Sequence, residues 1–261
     1  MRDLLPAQTY KLYFCAMEDK TWFKDWFDTK YYHVLYQNRD ESEAEVFIKN
    51  LTHFLNLENG AHILDLACGK GRHAVILNNL GFKVTGADLS ENSINEAKQY
   101  ENVELNFQVH DMRDILPQKK FDAVFNLFTS FGYFEDTSDN EKVIQSIFEM
   151  LNPRGVLVID FMNVHRVLER MVLEETKIVA GIEFELQRKH TGTHIIKAIN
   201  FADEGKSFNY QEKVQALEKE DFVSLLSNNG FSLMHVFGDY NLNDFNENLS
   251  DRLILIAQKN V

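Results

Sequence analysis

Between residues 60 and 163 short apolar runs alternate with amphipathic stretches, and this alternation limits the chain to few architectures. The apolar runs are Ile63-Leu64-Asp65-Leu66, Val84-Thr85-Gly86-Ala87-Asp88 and residues 104–109, 121–128 and 155–161. Residues 72–80, 91–100 and 140–151 lie between them with helical spacing. Repeated strand-helix-strand units build a parallel sheet covered on both faces. Three prolines, twelve glycines and no linker or repeat leave one continuous domain of 261 residues as the expectation.

The flanks differ from this centre. Residues 41–57 place Ala44, Phe47, Ile48, Leu51, Phe54 and Leu55 at spacings of three and four, which predicts an amphipathic helix. The preceding residues 22–39 are dense in aromatics. From 177 to 217 the apolar residues step by two, as in Ile182/Phe184/Leu186, His194/Ile196/Ala198 and Phe208/Tyr210, with Gly192 and Gly205 between the runs. This reads as an antiparallel meander inserted into the domain, with mixed charges facing water or a partner copy. A helix at 220–228 and two strands at 232–238 and 252–258 follow, the last two able to pair antiparallel at the sheet edge. The expected organisation is therefore 1–57 as an aromatic helical lid, 58–170 with 216–261 as the core, and 171–215 as the β insertion.

Charge and cysteine content exclude several roles. Twenty-seven basic against forty acidic residues give a formal net charge of −13, which disfavours bulk nucleic acid and anionic membrane. Cys15 and Cys68 are far apart and in no metal-ligand spacing, so no disulfide framework or metal site is expected, and free thiols point to the cytoplasm. Neither a signal peptide nor a membrane span is read from the apolar pattern.

Chemistry concentrates in Ile63-Leu64-Asp65-Leu66-Ala67-Cys68-Gly69-Lys70-Gly71-Arg72-His73-Ala74, a strand that enters a glycine turn and then a helix. Glycines there let a ligand approach the backbone, and the N–H groups of the helix start face it. Asp88 ends the next strand, seventeen residues after Gly71, where a carboxylate can accept from a ribose diol. Together they predict an adenosine-containing cofactor. The run Gly69-Lys70-Gly71-Arg72-His73-Ala74 also satisfies the nicotinamide form of the fingerprint, so an NAD(P)-dependent oxidoreductase remains a rival.

The whole motif, Asp65 through His73, resembles motif I of the class I S-adenosylmethionine-dependent methyltransferases. Further likenesses follow in order: Val84 to Ser90, His110-Asp111-Met112, Phe121-Asp122-Ala123-Val124-Phe125-Asn126, and Leu151-Asn152-Pro153-Arg154-Gly155-Val156-Leu157-Val158-Ile159. The resemblance implies a Rossmann-like α/β fold, with a seven-stranded, mostly parallel sheet, helices on both faces and a small antiparallel β insertion. It also implies S-adenosyl-L-methionine as cofactor and S-adenosyl-L-homocysteine as product. Ala67, Gly69 and Gly71 would then admit the amino-acid end of the cofactor, Asp65 its ammonium group, and Asp88 with Leu89 the ribose. Asp111 and Met112 would meet adenine, and Asn126 and Leu127 would line the site beneath the methionine moiety. Tyr32, Tyr36 and Arg39 resemble the lead-in of small-molecule N-methyltransferases of the amino-sugar and glycine type, closing over the cofactor.

For the acceptor, Phe128-Thr129-Ser130-Phe131-Gly132-Tyr133-Phe134 resembles the acceptor-side loop of the same enzymes, placing Tyr133 beside the transferred methyl. A phenol with a pKa of about 10 is a poor base at neutral pH, so His165 is the alternative proton acceptor. The expected reaction moves methyl to N or O of a small-molecule acceptor by in-line displacement, in a monomer or homodimer. A non-catalytic S-adenosylmethionine-binding protein and a protein or RNA methyltransferase remain rivals; the acidic balance disfavours the last.

Overall fold

The computed structural model describes residues 22–37, 41–117 and 120–261. Arg39 and Cys15 lie outside the described residues. Two short helices, α1 (Trp22–Phe27) and α2 (Lys30–Leu35), precede α3 (Glu41–Leu55). The alternating region follows as β1 (His62–Leu66), α4 (Arg72–Asn79), β2 (Lys83–Asp88), α5 (Glu91–Ala97), β3 (Leu105–Val109), β4 (Phe121–Asn126), α6 (Thr137–Met150) and β5 (Leu151–Met162). After α7 (Val164–Glu169) come β6 (Glu174–Val179), β7 (Ile182–His190), β8 (His194–Asp203) and β9 (Lys206–Gln215). The described chain closes with α8 (Lys219–Asn228), β10 (Phe231–Phe237) and β11 (Arg252–Lys259).

Seven strands form one sheet in the order β10-β11-β5-β4-β1-β2-β3. β1 pairs in parallel with β2 and β4, β2 with β3, and β4 with β5. β11 runs antiparallel to both β5 and β10. The central strands read as near-continuous apolar runs because both their faces are covered. Leu64, Leu66 and Val124 join a core with α6, α8 and the second sheet, while Ile63, Ala123 and Phe125 join the opposite core with α3, α4 and α5.

Strands β6 to β9 form a separate four-stranded antiparallel sheet in sequential order. Three of its strands carry the alternation seen in the sequence. The fourth, β6, is a largely exposed edge strand and shows no such pattern. Helices α1 and α2 pack on this sheet: the Trp26 ring lies 4.8 Å from Tyr210, and Tyr31 lies 4.6 Å from Phe201 and 4.8 Å from Phe208. No described helix is long and apolar enough to cross a membrane.

Two glycines set the distance between β2, β3 and the start of α4. A Cβ at Gly86 would stand 2.4 Å from Phe107 Cδ1 and 3.0 Å from Cys68 Sγ. One at Gly71, whose φ is +82°, would stand 2.6 Å from the same ring. Phe107 is buried. Gly86→Ala should therefore cost about 1–3 kcal/mol of unfolding free energy, since overpacking forces backbone shifts. In urea unfolding, Phe107→Leu in the same chain should return part of the loss; an unchanged midpoint for Gly86→Ala would remove this packing argument.

Candidate active site

The sheet order reverses between β1 and β4, so the helices that follow these strands leave on opposite faces and open a crevice at the strands' carboxyl ends. A cavity of about 460 Å³ occupies that place, within the range of small-molecule sites. Its floor includes Ala67, Cys68 and Gly69 after β1, Asp88 and Leu89 after β2, Asp111 and Met112 after β3, and Leu127 after β4. Tyr133, Tyr32 of α2 and Tyr36 just past that helix line it from above.

The turn after β1 is held in an uncommon backbone conformation. Ala67 has φ +64° and Gly69 +54°. The N–H groups of Ala67 and Cys68 both donate to the Ala87 carbonyl, at 2.7 and 3.1 Å, and Gly69 N–H donates to Asp88 Oδ2 at 2.7 Å. A Cβ on Gly69 would point into open space, the cradle that a bound group would fill. Gly71 behaves differently: its missing Cβ makes room for Phe107 inside the protein, and the residue does not line the cavity. The absence of a Cβ at Gly71 thus serves packing against Phe107.

Three carboxylates surround this floor. Asp88 accepts from Gly69 N–H, through Oδ1 from Ser90 N–H at 2.9 Å, and from Leu89 N–H, using three of about four lone-pair positions. Burial raises its pKa against the pull of those three N–H groups. Asp65 sits beneath the turn, fully buried, and takes the Ala74 N–H while its Oδ2 has no hydrogen-bond partner among the described residues. Burial first, and the charge of Asp88 second, push its pKa up to about 7. Asp111 is already committed to Arg113, accepting from its backbone N–H at 3.0 Å, its Nε at 3.0 Å and its Nη2 at 2.7 Å. Burial works upward on Asp111, but these bonds hold it below the usual range.

Beyond β4 the chain again turns through left-handed residues, Phe128 at φ +63° and Thr129 at +61°. Two consecutive non-glycine residues there are costly and persist only where surroundings enforce them. Asp160 and Arg252, both missed by sequence reasoning, do so. Asp160 Oδ2 accepts from Phe128 N–H at 2.9 Å and from the Tyr240 hydroxyl at 3.2 Å, while its carbonyl accepts from Thr129 N–H at 2.8 Å. Arg252 donates from Nε to Asp160 Oδ1 at 2.7 Å and from Nη2 to Thr129 Oγ1 at 3.0 Å. An aspartate within the otherwise apolar run Val158-Ile159-Asp160-Phe161 was the signal available, because a buried charge demands a partner.

Tyr133 donates its hydroxyl hydrogen to the Thr129 carbonyl, and its ring meets Trp22 at 5.5 Å and Phe27 at 5.2 Å. Asn126 is buried below the floor, donating to the Leu66 carbonyl at 3.1 Å, with no partner for its Oδ1 among the described residues, and does not line the cavity. His165 is brought nowhere near this site. The chain turns into α7 directly after β5, leaving His165 exposed beside a separate recess of about 50 Å³ with Leu217 and Phe245. Glu212 on β9, also missed in the sequence, does line the cavity. Burial would raise its pKa, yet the Lys197 ammonium and the Tyr36 and Trp26 donors hold it below the usual glutamate range.

Comparison with known proteins agrees with this geometry. A family model described as a methyltransferase domain matches residues 57–229, more than half of the chain. YqeM of Bacillus subtilis (strain 168), whose name gives a methyltransferase and no acceptor, is 29% identical over 216 residues, covering 78% of this chain and 86% of that protein. A glycine/sarcosine N-methyltransferase of Parasynechococcus marenigrum (strain WH8102) is also 29% identical over 216 residues, covering 77% and 72%. Among solved structures, an S-adenosylmethionine-dependent methyltransferase from Clostridium acetobutylicum ATCC 824 superposes with a TM-score of 0.75 at 19% identity, over 88% of this chain and 96% of that one. The chain belongs to the methyltransferase-domain family. It is a class I S-adenosylmethionine-dependent methyltransferase.

The raised pKa of Asp65 has a consequence for the ligand-free protein. In the unfolded chain this carboxyl titrates near pH ~4, so between about pH 4 and the folded value of about 7 the folded state binds the extra proton and stability falls as pH rises. Asp65→Asn removes that titration. Thermal unfolding without ligand should show the variant gaining on the native protein between pH 5 and pH 8, and a constant difference across that window would contradict the assignment.

Proposed function

We propose that the chain transfers the methyl group of S-adenosylmethionine to a nitrogen or oxygen of a small-molecule acceptor within the cavity above β1, β2 and β4. The observation that carries the reading is the floor itself. Gly69 leaves a cradle open, Asp88 keeps a lone-pair position unspent after its backbone donors, and Asp65 Oδ2 has no partner among the described residues. These three features fit, in order, the amino-acid backbone, the ribose diol and the ammonium group of the cofactor.

When bound, S-adenosylmethionine supplies a methyl group on a positively charged sulfur that departs as a neutral thioether. The residues therefore have mainly to position and to exclude water. Asp88 fixes the ribose end, Leu89 and Met112 pack against the adenine, and Asp111 has one lone-pair position left for its amino group after serving Arg113. Phe23, Phe27, Tyr32 and Tyr36 shield the cavity from water. Tyr133 offers its ring and a hydroxyl lone pair to the acceptor, since its proton is held by Thr129. No side chain is assigned as a base: a neutral amine attacks with its lone pair and the resulting ammonium releases its proton to water, whereas a hydroxyl acceptor would have to enter as its oxyanion.

The small-molecule assignment rests on the enclosed cavity and on the net charge of −13, which disfavours polyanionic acceptors. The glycine/sarcosine relative favours nitrogen as the acceptor atom. A buried free thiol at Cys68 suits the reducing cytoplasm as the place of action.

Asp88→Ala should weaken S-adenosylmethionine binding by about ten- to a hundredfold, the worth of one or two hydrogen bonds to a charged group, with the circular dichroism spectrum unchanged. Tyr133→Phe should lower turnover more than it changes cofactor affinity. Native affinity in Asp88→Ala would remove the ribose assignment, and native turnover in Tyr133→Phe would leave only the ring as relevant.

A further inference from the structure

We propose that Glu212 is a positioning residue for cofactor retention: from β9 it fastens helices α1 and α2 over the cavity, which makes the four-stranded sheet the anchor of the site's cover. The proposal rests on the reading that cofactor and acceptor occupy the cavity below.

Glu212 receives donors from both parts of the cover. Trp26 Nε1, in α1, donates to Oε1 at 2.8 Å, and the Tyr36 hydroxyl, just past α2, lies 2.7 Å from Oε1 and 2.8 Å from Oε2. Lys197 on the neighbouring strand β8 supplies the counter-charge, with Nζ 3.1 Å from Oε2, and donates to the Tyr36 hydroxyl as well. Its ammonium also lies 4.6 Å from the centre of the Tyr36 ring. Tyr210 and Glu212 share a face of β9, so the strand that holds the Trp26 indole N–H also stacks against its ring.

The anchor is itself tied to the core. Gln215 Nε2 donates to the Phe134 carbonyl at 2.7 Å, Asn140 Nδ2 donates to Gln215 Oε1 at 2.6 Å, and Lys213 pairs with Glu135 at 2.5 Å. The same loop carries Tyr133, against which Trp22 and Phe27 pack. The far side of the cover is held independently: Asp28, between α1 and α2, accepts from Ser90 Oγ at 2.5 Å and from Asn92 N–H at 3.0 Å. Both attachments border the cavity, since Ser90 and Glu212 each line it, and the Glu212 attachment is the one that gathers donors from α1 and from the end of α2 on a single carboxylate.

A glutamine at 212 keeps the length of the side chain but leaves Lys197 without its counter-charge and offers one acceptor oxygen where two are used. The chain's two tryptophans, Trp22 and Trp26, both lie in α1, so intrinsic fluorescence reports the cover alone. In ligand-free protein, Glu212→Gln and Lys197→Met should each make tryptophan emission more readily quenched by acrylamide, with native circular dichroism. S-adenosylhomocysteine should dissociate about tenfold faster from both, and KM for S-adenosylmethionine should rise about as much while kcat changes far less, as loss of a charged hydrogen bond implies. Lys197→Arg, which keeps the charge, should restore most of the native values.

Native quenching and native dissociation rates in either folded variant would overturn the proposal. Should Glu212→Gln fail to fold, Lys197→Met decides, because it leaves the carboxylate and both its cover donors in place. The quenching measurement needs no ligand. Absence of S-adenosylmethionine binding to the native protein would therefore refute the functional reading, separately from any result on the cover.

Discussion

The carboxylate of Asp88 joins the parts on which the site depends. It receives the Gly69 N–H from the turn after β1 and the Ser90 N–H from the start of α5. Ser90 in turn caps α5, its hydroxyl accepting from Ser93 N–H at 3.0 Å, and donates to Asp28 between the cover helices. One buried acidic group thus fixes the glycine turn, the adjacent helix and, through Ser90, the cover. Burial raises its pKa, a cost accepted because the backbone donors favour the charged form and a charged form can bind a diol.

A second buried charge plays the equivalent part on the other side of the crevice. Asp160 and Arg252 come from the antiparallel pair β5 and β11 and hold the left-handed residues Phe128 and Thr129 in place. Removing either partner would leave an uncompensated buried charge, typically about 3–5 kcal/mol. The closing strand β11 therefore does more than complete the sheet, since it delivers the guanidinium that shapes the turn leading to Tyr133. Strained backbone at Ala67, Phe128 and Thr129 borders the same cavity, and such strain gathers where a site needs fixed geometry.

Much of the fold was legible because central strands buried on both faces announce themselves as apolar runs, and the turn after β1 carries its glycines and aspartate within a short stretch. Asp88, Gly69, Leu89 and Met112 stand at the cavity where strand ends were expected to put them. What could not be read locally has its cause at a distance. Gly71 is required by Phe107, a ring on β3, and Glu212 by Trp26, 186 residues away. Strand β6 lacks alternation because it is an exposed edge. His165 lies off the cavity because position after a strand end does not tell which way the next helix carries the chain. Asp111 stands at the cavity, but its neighbour Arg113, two residues on, claims most of its lone pairs.

The central claim is that the floor formed by Gly69, Asp65 and Asp88 is built for S-adenosylmethionine. Calorimetric titration of purified, ligand-stripped protein with S-adenosylmethionine, S-adenosylhomocysteine and NADH, side by side, tests it most directly. The account expects saturable binding of the two sulfur nucleosides at one site per chain and none of NADH. Binding of NADH alone would contradict it and assign the glycine turn to hydride-transfer chemistry.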